Sequence, residues 1–193
     1  MIHLVSLFAA FNFNRIATLT SSLGALAVFS IAMVQPATAQ SPSVTDFSNV
    51  EAEIIEPGDI VEALAVPRGT KVRVGSRPRV RLPVYFEFSS AELKPEAETL
   101  LQKVGKALTA SDLEAFSFSI EGHTDNLGDE NFNAELSKRR ADAVRSFLER
   151  AGVAPERLRA VGRGESDPAD SNATRAGRER NRRVEIINLG ADS

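Results

Sequence analysis

The sequence contains no cysteine among its 193 residues. That absence excludes disulfide bonds, thiolate zinc sites, cysteine nucleophiles and a lipidated N-terminal cysteine. Histidine is nearly as scarce, because only His3 and His123 occur. A folded domain with one histidine and no cysteine is a poor basis for a zinc site. We therefore expect no resident metal and no cofactor.

A strong net charge is also missing. The formal net charge is −3, with 42% hydrophobic and 25% charged residues, which is typical of one globular domain with appendages. Such a chain has no global positive field to attract nucleic acid. The dense arginines of residues 175–183 lack interleaved aromatics. We interpret them, except Arg183, as a solvated loop and expect no nucleic-acid partner.

Acidic residues are absent from the first 40 positions, and residues 16–34 carry no charged side chain. Ala37 and Ala39 flank Thr38 in the small-x-small pattern that signal peptidase recognises. The pattern predicts a signal peptide over residues 1–39. The alternative is a retained membrane anchor, since the uncharged stretch could span a bilayer. Either interpretation predicts a periplasmic or cell-envelope location, with outer-membrane association left open.

Residues 40–81 are interpreted as a flexible, basic lead-in. Their start is small and polar, and four prolines between positions 57 and 83 disfavour long regular structure. Alternation at residues 71–74 would allow a short edge strand. The simple interpretation is a segment that packs on the domain edge. The alternative is that residues 50–81 contact another envelope protein or an anionic surface.

From residue 82 the pattern becomes regular. LPVYFEF, residues 82–88, alternates as a strand does. Pro95 suits the first turn of a helix. The buried stripe of that helix would consist of Leu101, Val104 and Leu108. AFSFSIEG, residues 115–122, predicts a half-buried strand.

The second half of this domain continues the alternation. A helix is predicted to begin near residues 129–131 and to end before Gly152. Strands are predicted at residues 157–162 and 181–189, separated by a polar loop with a short helix near residues 175–180. The order predicts an α/β fold, a two-layer sandwich over residues 82–190. Its β-α-β-α-β-β elements would form a mixed sheet with helices on one face.

An arginine interrupts the apolar stripe of the predicted central helix. Leu136, Val144 and Phe147 fall on one stripe at helical spacing, and Arg140 lies in its middle. An arginine held against a core keeps its charge and needs an anionic partner. That partner could be internal or a ligand.

Two polar residues are expected near Arg140. Asp125 follows a predicted strand, and Asn133 lies on the same helix stripe, seven residues before Arg140. An anion, an amide and a guanidinium would complement the ammonium and carboxylate of an amino-acid-like ligand. The alternative is that Asp125 and Arg140 pair with each other and brace the turn.

Three separate blocks carry a family resemblance. They are GHTDN at residues 122–126, NAELSKRRADAV at residues 133–144 and GRERNRRVEI at residues 177–186. They resemble the OmpA-like C-terminal domain, and YFEFSSAEL at residues 85–93 resembles that family's opening segment. The resemblance covers about residues 82–189. It implies an OmpA-like sandwich and a non-catalytic, peptidoglycan-binding protein of the cell envelope.

The resemblance also implies roles for individual residues. Asp125 matches the family's aspartate for the ammonium of diaminopimelate in the stem peptide. Arg140 matches the arginine that holds the carboxylate of that ligand. Asn133 matches the family's helix asparagine, and Arg183 matches a supporting contact. The positions that commonly touch the ligand in this family also include Thr124, Asn126 and Leu136.

An enzyme is the competing interpretation. His123 and Asp125 form an H-x-D pair, which could serve an envelope enzyme acting on peptidoglycan. No nucleophile motif accompanies the pair. Local packing or hydrogen bonding is the simpler role for His123, so we expect a protein without catalytic activity.

Overall fold

The computed structural model describes residues 44–48, 51, 53–66, 77–87 and 89–191. The predicted signal peptide and the possible strand at residues 71–74 therefore lie outside the described residues. Within the described ranges, every helix falls short of the length and apolarity that a membrane span requires.

Strands and helices alternate along the described chain. They are β1 (Val44–Asp46), α1 (Pro57–Leu64), β2 (Arg79–Leu82), α2 (Pro95–Leu108), β3 (Phe116–His123), α3 (Glu130–Arg150), β4 (Leu158–Gly164), α4 (Arg175–Asn181) and β5 (Val184–Ala191). The sheet order is β1-β2-β5-β3-β4. β1 and β2 are parallel, as are β3 and β4, whereas β5 is antiparallel to β2 and β3. The predicted mixed α/β sheet is confirmed.

The two long helices begin and end as local chemistry predicts. Pro95 opens α2, whose predicted stripe is buried. The side chain of Asp129 caps α3 by accepting a hydrogen bond from the main-chain N–H of Phe132 at 3.0 Å. Gly152 follows α3 with φ +99°, a conformation that glycine adopts without strain.

The sheet has an apolar face and a polar face. Phe118 and Ile120 of β3 join the helix-packed core, and Ile186 of β5 lies opposite Ile120. Glu121 and Glu185, which are also paired across β3 and β5, project to the opposite face and are buried as well. The prediction that β3 is half-buried is therefore wrong.

Glycines bring α3 close to the ends of β3 and β4. A Cβ atom on Gly122 would lie 2.3 Å from the main-chain oxygen of Ser137. A Cβ atom on Gly162 would lie 2.7 Å from the main-chain nitrogen of Lys138. Any larger residue would push the helix away, so the two glycines fix how closely α3 approaches the sheet at Ser137 and Lys138.

The lead-in contributes to the fold. β1 pairs with β2, and α1 buries Ile60 and Leu64 in the core. The expected flexibility of residues 40–81 therefore does not hold for β1, α1 and β2. Pro57 begins α1 at the first helical turn, where a missing N–H costs nothing.

The first predicted strand is displaced along the sequence. The observed strand β2 ends at Leu82, where residues 82–88 were predicted to begin one. Pro83 has no N–H to continue the ladder, which accounts for the end of the strand there. The following segment makes only an isolated bridge between Phe86 and Leu93 among its described residues. It forms a wall of the cleft described below.

Candidate functional site

The turn after β3 is tied to both neighbouring strands. The main-chain N–H of His123 donates to the oxygen of Arg183 at 3.0 Å. The N–H of Thr124 donates to the oxygen of Gly164 at 2.9 Å. Asp125 follows at once, so its carboxylate starts from a fixed point at the sheet edge.

Asn133 organises this turn from the first turns of α3. Its amide nitrogen lies 3.3 Å from the oxygen of Asp125 and 3.2 Å from the oxygen of Leu127. The same nitrogen lies 2.7 Å from Oε2 of Glu165. With two N–H groups for three acceptors, the donor capacity of Asn133 is used within the protein.

Asp125 is buried and has two partners. Its Oδ1 accepts a hydrogen bond from the main-chain N–H of Leu127 at 3.0 Å. Its Oδ2 pairs with Nη1 of Arg182 at 2.5 Å. The alternative that Asp125 and Arg140 form a direct brace is therefore wrong, because Arg182 takes that place.

Arg140 is half-buried beside this pair. Its Nε donates to the main-chain oxygen of Ser90 at 2.9 Å, and its guanidinium lies 4.8 Å from the ring centroid of Phe86. Burial lowers the pKa of Arg140, the charge of Arg182 lowers it further, and the charge of Asp125 opposes both. Within the described part of the chain, no carboxylate forms a salt bridge with Arg140. Its charge is therefore poorly compensated.

A cleft of about 590 Å³ opens in front of Arg140. The cleft is lined by Arg140 and by the segment from Leu82 to Phe86. Residues at the end of α4 and just after this helix also line the cleft. Those later residues include Arg180, Arg182 and Arg183, with Glu179 as the carboxylate among the lining residues. The cleft is therefore suited to an anionic group.

Arg183 is buried, and its charge is matched. Its Nε pairs with Oε1 of Glu185 at 2.7 Å, and its Nη2 donates to the oxygen of Asp167 at 3.0 Å. Arg81 also donates to Glu185, at 2.9 Å. Burial alone would raise the pKa of Glu185, but the hydrogen bond and charge of Arg183, together with the hydrogen bond of Arg81, lower it to about 2.

Three further predicted residues lie around the turn. Thr124 is buried, and its hydroxyl has no hydrogen-bond partner among the described residues. Asn126 is exposed, and its main-chain N–H donates to Oδ1 of Asn172 at 3.4 Å. Leu136 is buried on α3, one turn before Arg140. Thr124 and Asn126 thus flank Asp125, whereas Leu136 lies on the buried face of α3.

His123 is isolated from the polar groups around it. It is buried, and neither ring nitrogen has a hydrogen-bond partner among the described residues. Burial lowers its pKa to about 4, with a further contribution from the charge of Arg183. The predicted H-x-D pair is not hydrogen-bonded, since Asp125 is held by Arg182. In the described ranges, no group of three or more acidic or histidine side chains is arranged to hold a metal ion.

Sequence reasoning missed Arg182. It was interpreted as part of a solvated loop, yet it pairs with Asp125 and lines the cleft. Its neighbour Arg183 points to Glu185 instead. Successive side chains of an extended segment alternate in direction, so the pair Arg182-Arg183 just before β5 was a usable signal.

Comparison with known proteins identifies the relatives of this chain. Residues 85–182 match the OmpA family. Outer membrane protein A of Bordetella avium is 37% identical over 136 residues, covering 70% of this chain and 69% of that protein. Peptidoglycan-binding protein ArfA of Mycobacterium bovis is 40% identical over 105 residues, covering 54% of this chain and 32% of ArfA.

A solved structure shares the fold. The crystal structure of the peptidoglycan-associated lipoprotein from Burkholderia pseudomallei matches with a TM-score of 0.50 and 30% sequence identity, covering 55% of this chain and 88% of that one. The predicted OmpA-like fold is thereby confirmed. Because the family match spans about half of the chain and the Bordetella relative is covered over 69% of its length, the chain belongs to the OmpA family.

Proposed function

We propose that this protein binds peptidoglycan in the bacterial cell envelope, without catalysing a reaction. The observation that carries the proposal is Arg140, a half-buried guanidinium that faces a cleft and has no carboxylate partner among the described residues. A buried positive charge is costly unless an anion compensates it. A ligand carboxylate would supply that anion.

The relatives support this ligand class. ArfA is named a peptidoglycan-binding protein, and the Burkholderia structure is a peptidoglycan-associated lipoprotein. The covered part of ArfA is about a third of that protein, so its other roles have no bearing on this chain. Relatives named for the outer membrane agree with the envelope location predicted from the sequence.

The proposed contact is the diaminopimelate residue of the stem peptide. Its free end carries an ammonium and a carboxylate on one carbon. Asp125 would hold the ammonium and Arg140 the carboxylate, through charge-assisted hydrogen bonds. The exposed Asn126 lies beside Asp125, as does the hydroxyl of Thr124, which has no hydrogen-bond partner among the described residues. Both could contact the ligand there.

The remaining predicted residues act less directly in this proposal. Asn133 holds the turn that presents Asp125, and Arg183 lines the cleft while bound to Glu185. Leu136 supports α3 below Arg140. These three would affect binding by positioning the charged groups.

The organisation of the whole chain completes the proposal. Residues 1–39 would direct export, and residues 82–190 would bind the wall. Residues 50–81 remain a candidate contact for another envelope protein. Membrane attachment would follow only if residues 16–34 are retained. Many weak sites on one polymer would then hold an attached protein by avidity.

The test is co-sedimentation of the purified full chain with peptidoglycan sacculi. Asp125→Ala and Arg140→Ala are compared with Arg139→Ala, a neighbouring exposed arginine of α3 that pairs with Glu135. Circular dichroism verifies that every variant folds. We expect wild type and Arg139→Ala to sediment, and the other two to stay in solution. Equal sedimentation of all four would reject the proposed site.

The envelope-enzyme alternative gains nothing from the site geometry. The ring nitrogens of His123 have no partner among the described residues, and Asp125 is bound to Arg182. Incubating the chain with sacculi and analysing the soluble fraction tests this point. We expect no released fragments, and their appearance would favour the enzyme.

A further inference from the structure

Ser48 lines the cleft, although it belongs to the lead-in and lies outside residues 85–182, the part of the chain that matches the OmpA family. We propose that Ser48 contacts the ligand and extends the binding site beyond diaminopimelate, to the glutamyl residue that precedes it in the stem peptide. This inference rests on the proposed function. It gives the lead-in a part in binding as well as in folding.

The first support is the direction of β1. This strand runs parallel to β2, with Asp46 opposite Arg81, so the two strands approach the cleft from the same direction. The strand β2 ends at Leu82, which lines the cleft. The chain that leaves β1 therefore reaches the cleft as well, two residues after Asp46, at Ser48.

The second support is that the end of β1 is held in place. The main-chain N–H of Phe47 donates to the oxygen of Arg81 at 3.0 Å, and the Phe47 side chain packs against the core. The N–H of Ser48 donates to Oδ1 of Asp46 at 2.9 Å. The other oxygen of Asp46 lies 3.3 Å from Nη1 of Arg81. A residue whose backbone is fixed in this way loses little conformational freedom when it binds a ligand.

The third support is the side chain of Ser48, which is partly exposed and whose hydroxyl forms no hydrogen bond with the described residues. A hydroxyl donates one hydrogen bond and accepts others, so it suits both the N–H and the C=O of a peptide group. By contrast, the lining carboxylate of Glu179 and the lining guanidinium of Arg180 are each already in a salt bridge.

The fourth support is the size of the cleft. Its volume of about 590 Å³ falls within the range of about 300–1,000 Å³ that is typical of sites for drug-sized ligands. The proposed contacts with Asp125 and Arg140 use only one end of diaminopimelate. The other end is joined to the glutamyl residue, and the peptide would continue along lining residues that include Leu82, Pro83 and Ser48.

The experiment measures dissociation constants of the full chain for two ligands by calorimetric titration. One is L-alanyl-γ-D-glutamyl-meso-diaminopimelate, and the other is free meso-diaminopimelate, which lacks the glutamyl residue. Wild type is compared with Ser48→Ala, which removes the hydroxyl, and with Ser48→Phe, which places a large ring in the cleft. Ser111→Ala, at an exposed serine after α2, is the matched control. Circular dichroism melts verify that each variant is folded.

We expect wild type to bind the tripeptide more tightly than free diaminopimelate. Ser48→Ala should weaken binding of the tripeptide about fivefold, the effect of losing one neutral hydrogen bond, and should leave the affinity for free diaminopimelate unchanged. Ser48→Phe should weaken binding of the tripeptide further, because the ring obstructs the path of the peptide. Ser111→Ala should match wild type for both ligands.

Two results would overturn the inference while leaving the proposed function intact. In one, both Ser48 variants bind the tripeptide as tightly as wild type does. In the other, they lose affinity for the tripeptide and for free diaminopimelate by the same factor, which would make Ser48 a support for the shape of the cleft. If wild type binds neither ligand, the inference and the proposed diaminopimelate contact both fail.

Discussion

Two clusters of arginines in this molecule balance their charge in opposite ways. In the Glu185 cluster, Arg79, Arg81 and Arg183 surround one buried carboxylate on the polar face of the sheet. In the cleft cluster, Arg140 and Arg182 lie near Asp125, and only Arg182 is paired with it.

The difference separates a structural role from a binding role. The Glu185 cluster joins two strands through short contacts, so its cost of burial is compensated inside the protein. In the cleft cluster, the half-buried guanidinium of Arg140 forms no salt bridge with a carboxylate of the described residues. The first cluster should therefore govern stability, and the second should govern binding.

Removing the carboxylate of the Glu185 cluster should have the largest effect on stability. Glu185→Gln would leave the buried charge of Arg183 without its anion, at a cost of about 3–5 kcal/mol in the free energy of unfolding. Urea denaturation measures this cost. Glu179→Gln, on the exposed surface of α4, is the control. A loss below about 1 kcal/mol would refute the structural role.

Acid should weaken the same region in two steps. Folding lowers the pKa of His123 from 6.5 to about 4, so the unfolded chain binds more protons between these values. Stability is thus retained above pH 6.5 and falls by about 3 kcal/mol as the pH drops to 4. Glu185, with its pKa lowered from 4.5 to about 2, extends the loss below pH 4.5.

Denaturation curves between pH 4 and pH 7 measure the first step. His123→Phe keeps a ring of similar size and removes the titrating group. The slope between pH 6.5 and pH 4.5, the range above the titration of Glu185, should disappear in this variant. A slope equal to that of wild type would assign the titration to another residue.

Arg157, which belongs to neither cluster, allows a further test with a smaller expected effect on stability. Arg157 donates to the main-chain oxygens of Phe116, Leu108 and Leu113, at 2.8, 2.9 and 2.7 Å. Arg157→Ala should lower the free energy of unfolding by about 2 kcal/mol and leave sacculus binding unchanged. Arg159→Ala, an exposed neighbour on β4, should change neither quantity. Loss of binding in folded Arg157→Ala would contradict the separation of structural arginines from ligand-binding arginines.

The sequence allowed much of the fold to be predicted because its signals are local. Pro95 and Gly152 mark helix ends, and Asp129 lies in the predicted start of α3. The strand β2 was missed because two arginines and two flanking prolines disguise it. Arg79 and Arg81 both pair with the buried Glu185, which lies more than a hundred residues later in the sequence. No local pattern reports such a pairing.

The candidate site was also predicted from local signals, and the pairing between distant residues was again missed. Asp125 and Arg140 are conspicuous by position, one in a turn after a strand and one on an apolar stripe. Whether they touch depends on a third residue from another part of the chain. Arg182 forms the salt bridge with Asp125, and Arg140 forms none with a carboxylate of the described residues. Helical spacing does not encode this outcome.

The most direct test of the claim that Arg140 binds a ligand carboxylate is the affinity of Arg140→Gln, relative to wild type, for the tripeptide L-alanyl-γ-D-glutamyl-meso-diaminopimelate. We predict at least about a tenfold loss of affinity, while the free energy of unfolding stays within about 1 kcal/mol of wild type. Wild-type affinity in this folded variant would contradict the account, because Arg140 would then be compensated without the ligand.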